Sequence, residues 1–252
     1  MQFAEDLAKR EAQILDAVYQ GNYTAQWNEV TSEHGAHTAV FRVMGDALMI
    51  EGVRVNVTAE LEQHIADLLY CSLLTPKLAD LHFAQAQIVL PPMNRAFTAT
   101  TAAMIDQSEK LGVAIQEAGS TGIELVSTLG KHWVIDEDLK THHGMACNYG
   151  WHFHGAACIG QAWEVCATQM KDAEEHLIRL IQGRGFRHNK GHADSSQNCV
   201  LAARNCLVDG NEMDLRAVLG SPELAPLASH QGVMTIFRQP GVDELQPVSI
   251  CP

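Results

Sequence analysis

Several things are scarce or absent in this chain, and each absence narrows the answer. Basic residues are few: 17 Lys and Arg stand against 30 Asp and Glu in 252 residues, for a formal net charge of -13. The basic residues are also scattered, whereas phosphate backbones are gripped by clustered Lys and Arg, so nucleic acid is not expected as the partner. Anionic membrane surfaces are disfavoured on the same ground. No run approaches 18 apolar residues, so no membrane span is expected. The N-terminus, Met1-Gln2-Phe3-Ala4-Glu5-Asp6, has neither a basic start nor an apolar stretch of the signal-peptide kind.

The seven cysteines include no C-x-x-C pair and are odd in number, with apolar neighbours for the most part. That pattern reads as reduced thiols in a cytoplasmic protein and not as a disulfide framework. There is no G-x-x-x-x-G-K-[ST] loop and no dinucleotide fingerprint, so a nucleotide cofactor is not expected. H-E-x-x-H and G-x-S-x-G are missing as well. Repeats, low-complexity segments and a clear linker are likewise absent.

What is present is an ordinary apolar fraction, 46%, enough to bury a sizeable core, together with an unusual thirteen histidines. The spacing predicts an amphipathic helix over residues 3–19, ended by Gly21-Asn22. Short β-type runs follow at Thr38–Val43, Ala47–Ile50 and Val53–Val57, punctuated by Gly45-Asp46 and Glu51-Gly52, which suggests hairpins. Thr58 caps a helix carrying Leu61, Ile65, Leu68 and Leu69, and Thr75-Pro76 is the sharpest helix start in the chain. Residues 87–90 read as a strand stopped by Pro91-Pro92, and residues 100–118 as a helix ended by Gly119.

Beyond Gly119 the chain becomes rich in His, Gly and Cys. Strands are expected at His132–Ile135 and Met145–Phe153, a helix over 161–182, an apolar element from Cys199 to Ala203, and a turn at Asp209-Gly210. Asp214 caps Leu215 to Leu219, a short helix starts at Ser221-Pro222, Val233–Phe237 reads as a late strand, and the tail from Pro240 as loosely ordered. Helices mixed with short, mainly antiparallel strands and without regular βαβ alternation point to an α+β fold, as a single domain or two packed lobes. The natural division falls between a plainer region, 1–118, and a His-rich, site-bearing region, 119–252.

Chemistry is expected where two segments meet. One is Trp151-His152-Phe153-His154; the other runs from Arg187-His188 through His192 and Asp194 to Ser196 and Cys199. His152 and His154, two apart on a strand, would face the same side, and His188, His192 and Asp194 form H-x3-H-x-D. Two such groups can supply protein ligands for Zn2+ or another divalent metal and leave a position open for an activated water. The same residues can instead act as an acid–base set, with His152, His188 and Asp194 moving protons and Ser196 orienting a group. Lys131 is a candidate for fixing a substrate carboxylate or phosphate, and Tyr149 and Trp151 are candidate substrate contacts beside it. Lys131-His132-Trp133, Asp136–Asp138 and His142-His143 read alternatively as a solvated polar band. His34 and His37 read as a surface turn, and His64, His82 and His176 as surface or boundary residues on helices.

Thiol chemistry is the main rival. Ser196-Gln197-Asn198-Cys199 resembles the S-H-G-C motif of L,D-transpeptidases, in which cysteine attacks a peptide carbonyl and histidine activates it. Gln197 and Asn198 depart from that motif at its histidine and glycine. The resemblance implies Cys199 as nucleophile, with His188 or His154 as base; the plain alternative is a buried cysteine at the start of a core element.

A wider resemblance rests on Asn148-Tyr149-Gly150-Trp151-His152, on His188…Asp194-Ser195-Ser196-Gln197 and on Asp214-Leu215…Val218-Leu219…Pro222-Glu223-Leu224. These segments, spanning roughly residues 75–237, are similar to a group of uncharacterised bacterial and phage-associated proteins. The third segment in that group often reads D-Y-S-[HQ], and Ser195 departs at the tyrosine. The resemblance implies that His152, His188, Asp194 and Ser196 share one site, and it leaves His154 and His192 outside the pattern. The expected function is hydrolysis of a peptide or amide bond, with cell-wall peptide or another small molecule as substrate. The alternatives are acyl transfer through Cys199 and a non-enzymatic binding or assembly protein with a structural polar network. Oligomeric state is left open by the sequence.

Overall fold

The computed structural model describes residues 2–93, 98–154, 166–171 and 177–248, with backbone alone for His154, 166–171 and Leu177. The helices are α1 (Leu7–Tyr19), α2 (Ala59–Leu68), α3 (Pro76–Ala84), α4 (Thr101–Glu117) and α5 (Leu215–Gly220). Strands β1 (Trp27–His34), β2 (His37–Met44), β3 (Met49–Ile50), β4 (Val53–Arg54), β5 (Cys71–Leu73), β6 (Ile88–Val89) and β7 (Val126–Ser127) come first. They are followed by β8 (Lys131–Val134), β9 (Met145–His154), β10 (Cys166–Lys171), β11 (Leu177–Asn189), β12 (Leu201–Ala203), β13 (Asn205–Val208) and β14 (Asn211–Asp214). The fold is α+β. No helix among the described residues is long and apolar enough to cross a membrane.

Each helix start has a chemical cause visible in the sequence. Asp6, Thr58, Thr75, Thr100 and Asp214 are N-caps whose side chains accept from a backbone N–H of the first turn, satisfying donors that the helix leaves orphaned. Pro76 follows Thr75 at the first helical position, where its missing N–H costs nothing.

The larger sheet runs β14-β13-β2-β12-β5, with β1 paired to β2, and every pairing in it is antiparallel. Strands from both sides of residue 118 are therefore interleaved in one sheet. The second sheet, β10-β11-β9-β8, is antiparallel too, while β6 and β7 form a short parallel pair. One apolar cluster runs continuously from α1 through the larger sheet to α2, α3, α5 and Val134 on β8. Strand β8 is tied by backbone bridges to segments flanking the larger sheet, Val134 to Leu74 just after β5 and Lys131 to Gln197 ahead of β12.

Three expectations from the sequence are corrected. Of the helix expected over 161–182, residues 166–171 and 177–182 lie in β10 and β11, and the remainder is outside the described residues. Ile178 and Leu180 are buried while Arg179 between them is not, the period-2 pattern of a strand; pairing with β9 selects that conformation over an ambiguous apolar spacing. Val233–Phe237 is not a strand. Its donors are met by the Glu137 carboxylate instead: Thr235 N–H and hydroxyl at 2.7 Å each and Ile236 N–H at 3.2 Å. Residues 241–248 of the tail are docked: Val242 is buried, Leu245 N–H donates to Asp67 at 3.1 Å and Val248 N–H to Leu68 O at 2.9 Å.

Candidate functional site

Strand alternation on β8 creates two chemically distinct faces. Lys131 and Trp133 project to one side and His132 between them to the other. Trp133 meets the rings of His188 and His192 edge-on, and Lys131 reaches Asp194, whereas His132 lies beside His82 of α3. On β9 the alternation breaks. Gly150 has φ +138° and Trp151 has φ +54°, the left-handed region that a bulky residue seldom occupies. The break lets Tyr149 and His152, three positions apart, both bond Asp80, and sends the Trp151 ring to the opposite side over Lys131, 5.7 Å from its Nζ. Glycine at 150 is needed for space too, since a Cβ would sit 3.1 Å from the Gly130 carbonyl oxygen.

On the first face a cavity of about 230 Å3 is lined by Lys131, Trp151, Ile181, Gln182, His188, His192 and Asp194. Lys131 Nζ donates to Asp194 Oδ2 at 3.2 Å, and both side chains are almost wholly buried. Asp194 Oδ1 accepts from the Ser196 backbone N–H at 2.8 Å and from the Ser196 hydroxyl. Burial opposes the charge on Asp194, but Lys131 and the Ser196 donors outweigh it and hold the carboxyl below its ordinary range. His188 and His192 stack at 3.9 Å with rings 9° from parallel. Burial, then the neighbouring His192 and Lys131, lower the pKa of His188 and favour the neutral form of this half-buried imidazole. His192 Nε2 is buried, lies 3.5 Å from Asp194 Oδ2 and makes no hydrogen bond among the described residues.

The loop carrying Asp194 and Ser196 is seated by its own amides. Gln197 accepts from Asp194 N–H at 2.8 Å and donates to Asn148 Oδ1 at 3.0 Å; Asn198 donates to Leu129 O at 2.8 Å; Lys131 N–H donates to Ser196 O at 2.7 Å. The two chains approach so closely at Gly130 that an added Cβ would lie 2.2 Å from Ser196 O.

The second face is organised by Asp80, whose side chain is fully buried on α3. Oδ1 accepts from Tyr149 Oη at 2.8 Å and His152 Nε2 at 2.7 Å, and Oδ2 from His230 Nε2 at 2.8 Å. Burial again opposes the charge, and the His152 and His230 hydrogen bonds win, lowering the pKa. Phe83 stacks on His152 at 5.2 Å. His82 is buried, donates from Nε2 to Met44 O at 3.0 Å with Nδ1 3.4 Å from Ser127 Oγ, and is pushed by burial to a pKa of about 4. His132 is likewise held well below its usual value by burial.

The expected site thus divides. His188, His192, Asp194, Ser196, Lys131 and Trp151 come together; His152 and Tyr149 do not join them. His152 pairs with Leu180 near one end of β9, while His188 pairs with Ala146 near the other, and among the described residues the two rings have no partner in common. A single site holding both His152 and His188 is therefore corrected: the broken alternation turns His152 to the α3 side. His154 has its side chain outside the described residues. Cys199 is also corrected as a nucleophile: it is fully buried, and burial first, then Glu62, pushes its thiol well above the ordinary value, whereas reactive thiols are partly exposed with a lowered pKa. The plain core reading of Cys199 holds. Cys71, Cys147 and Cys206 are buried too.

The divalent ion expected from the sequence finds no set of three His, Cys, Asp or Glu side chains among the described residues. The stacked His188 and His192 rings explain the misfit, since in-plane lone pairs of parallel rings do not converge on one ion. Asp194 is already engaged by Lys131 and Ser196.

The polar band is less solvated than expected. Lys131, His132 and Asp136 are buried, and Asp136 accepts from Arg184 Nε at 2.5 Å and Nη2 at 2.7 Å and from Gln231 at 3.2 Å. His82 is corrected from a surface or boundary residue to a core one. Asp80 and His230 escaped notice in the sequence. A carboxylate inside the apolar run Leu78-Ala79-Asp80-Leu81 was a usable signal for the first; nothing local marks His230.

A larger cavity, about 760 Å3, lies between the β3–β4 hairpin and α4. Among the described residues no imidazole or thiol lines it, and the ion pair there, Asp46–Arg54, is internally satisfied at 2.6 and 2.8 Å, so the smaller cavity is the better candidate for chemistry. No protein-family model, curated protein or solved structure matches this chain.

Proposed function

We propose that the protein hydrolyses an amide or peptide bond in the cavity between β8, β9, β11 and the 188–196 segment, with short cell-wall peptides as the substrate class to try first. One observation carries the reading: the His188 imidazole opens onto the same small cavity as a buried ammonium–carboxylate pair, and burial disfavours its charged form. His188 accepts a proton from water as the oxygen attacks the carbonyl carbon, and returns it to the leaving amine. The Lys131 ammonium draws the substrate carbonyl or a terminal carboxylate toward it, while Asp194, held by Ser196, keeps that ammonium in place. Trp151 supplies an apolar wall with its ring over Lys131.

The test is digestion of purified cell-wall peptides and a general peptide mixture by the wild-type chain and by His188→Gln, with new amines counted by mass spectrometry. Cleavage by wild type that falls at least a hundredfold in the variant supports the reading, a loss in the usual range for removing a general base. Equal cleavage by both, or none by either, overturns it; the latter result favours a binding role for the same pocket. Elemental analysis of the purified protein tests a metal-assisted version, which requires about one divalent ion per chain.

A further inference from the structure

The Asp80–His230 couple lies outside the proposed cleft and has the makings of a reactive centre of its own. His230 Nε2 bonds a carboxylate, which only accepts, so Nε2 carries the proton and Nδ1 presents a lone pair. No other partner holds His230 among the described residues, and its side chain is 25% exposed whereas that of Asp80 is fully buried. This is the arrangement in which a buried acid fixes the tautomer of a reachable imidazole and stabilises the imidazolium once formed.

The support is rigid on both sides. Tyr149 and His152 hold the other carboxylate oxygen, and the left-handed Gly150-Trp151 backbone is what allows both to reach it. The segment leading to His230 is pinned to α3: Thr75 hydroxyl donates to Ala228 O at 2.5 Å, and Lys77 Nζ donates to Pro226 O. The charged and titratable groups facing the couple are Asp80 and Lys77 from α3 and Tyr149 and His152 from β9.

We propose that His230 is the proton acceptor of a second acid–base centre, positioned by Asp80, that hydrolyses small acyl esters. Water attacks the acyl carbon as His230 Nδ1 takes its proton; the tetrahedral intermediate collapses, the C–O bond breaks, and the proton passes from Nδ1 to the leaving oxygen. Acid and alcohol are the products, Asp80 remains charged throughout, and no co-reactant other than water is consumed.

The probe is p-nitrophenyl acetate, with the full chain, His230→Gln, Asp80→Asn and a control, His34→Gln, at an exposed position on β1. The expected result is a wild-type rate above that of an equal concentration of free imidazole, unchanged in His34→Gln and at least tenfold lower in His230→Gln. Asp80→Asn should lower kcat at least tenfold with KM little changed, the split expected when the residue that orients the imidazole is lost and substrate contact is not. His230→Gln replaces a surface ring and is expected to fold; if Asp80→Asn does not, the His230 tautomer is read in the wild type by nitrogen NMR, where a proton on Nε2 supports the couple and a proton on Nδ1 in the neutral ring overturns it. A rate no better than imidazole, or one indifferent to His230→Gln, overturns the proposal. Because the amide-hydrolase reading is tested with peptides and His188→Gln, either can fail without the other.

Discussion

Replacing Gly130 with alanine should unseat the whole 194–198 loop. The added Cβ would lie 2.2 Å from the backbone oxygen of Ser196, a distance that real Cβ atoms do not tolerate, and also 2.9 Å from Asn198 Nδ2 and 3.1 Å from the Ser196 carbonyl carbon. Relief demands roughly 1 Å of separation between the 129–131 and 196–198 chains, given ordinary contact distances of about 3.5 Å. That shift stretches two buried hydrogen bonds, Lys131 N–H to Ser196 O and Asn198 Nδ2 to Leu129 O. At about 1 kcal/mol for each bond and 1–3 kcal/mol for overpacking, the loss is about 3–5 kcal/mol. For a chain of this size that corresponds to a Tm lower by roughly 6–20 °C. The assay is urea and thermal unfolding followed by circular dichroism, with Gly191→Ala as control. Gly191 lies in the same segment, its nearest neighbour would be Asn189 Oδ1 at 3.5 Å, and its variant should stay within about 0.5 kcal/mol of wild type. A Gly130→Ala protein as stable as Gly191→Ala would refute the docking of this loop and, with it, the Lys131–Asp194 pairing.

Further outcomes follow from burial. His82 has a folded pKa near 4 because burial disfavours its charged form. A folded pKa below the unfolded one means that the unfolded state binds the proton first, so this contribution to stability is complete above about pH 6.5 and is lost as pH falls toward 4, a difference on the order of 3 kcal/mol. His82→Gln should flatten the stability–pH curve in that window, and an unchanged slope would refute the assignment. Asp80 has the opposite linkage: its carboxyl is depressed in the folded state, so its contribution is present above its ordinary value near 4 and disappears as pH drops below the folded value. Stability measured from pH 5 to 2 should therefore fall less steeply in Asp80→Asn than in wild type. Cys199 should resist thiol reagents at neutral pH in the native protein and react after unfolding; rapid native labelling of that residue by mass spectrometry would contradict its burial.

Local chemistry made much of the fold legible. Thr58, Thr75-Pro76 and Asp214 announced their helices because capping depends on residues within one turn. The strands at 131–134 and 145–154 were legible from β-type composition. The segment 166–182 was not, because Leu177, Ile178 and Ile181 satisfy a helical spacing as readily as a strand, and only the partner strand β9 resolves the choice. Val233–Phe237 failed for a related reason: β-branched residues form a strand only where another backbone meets them, and here Glu137 does so instead.

The candidate site follows the same division. Sequence by itself determined the α+β class and the concentration of acid–base groups in the second half of the chain. It also marked the companionship of His188, His192, Asp194 and Ser196, which lie close enough in sequence for local geometry to gather them. Tertiary structure decided which distant residues complete each group: Lys131 for Asp194, Asp80 and His230 for His152, Glu62 for Cys199. It separated His152 from His188 through two left-handed backbone angles. The physical reason is that which way a side chain faces, and whether its charge or thiol meets water, is set by what packs against it from elsewhere in the chain; periodicity within one segment carries no record of that neighbour.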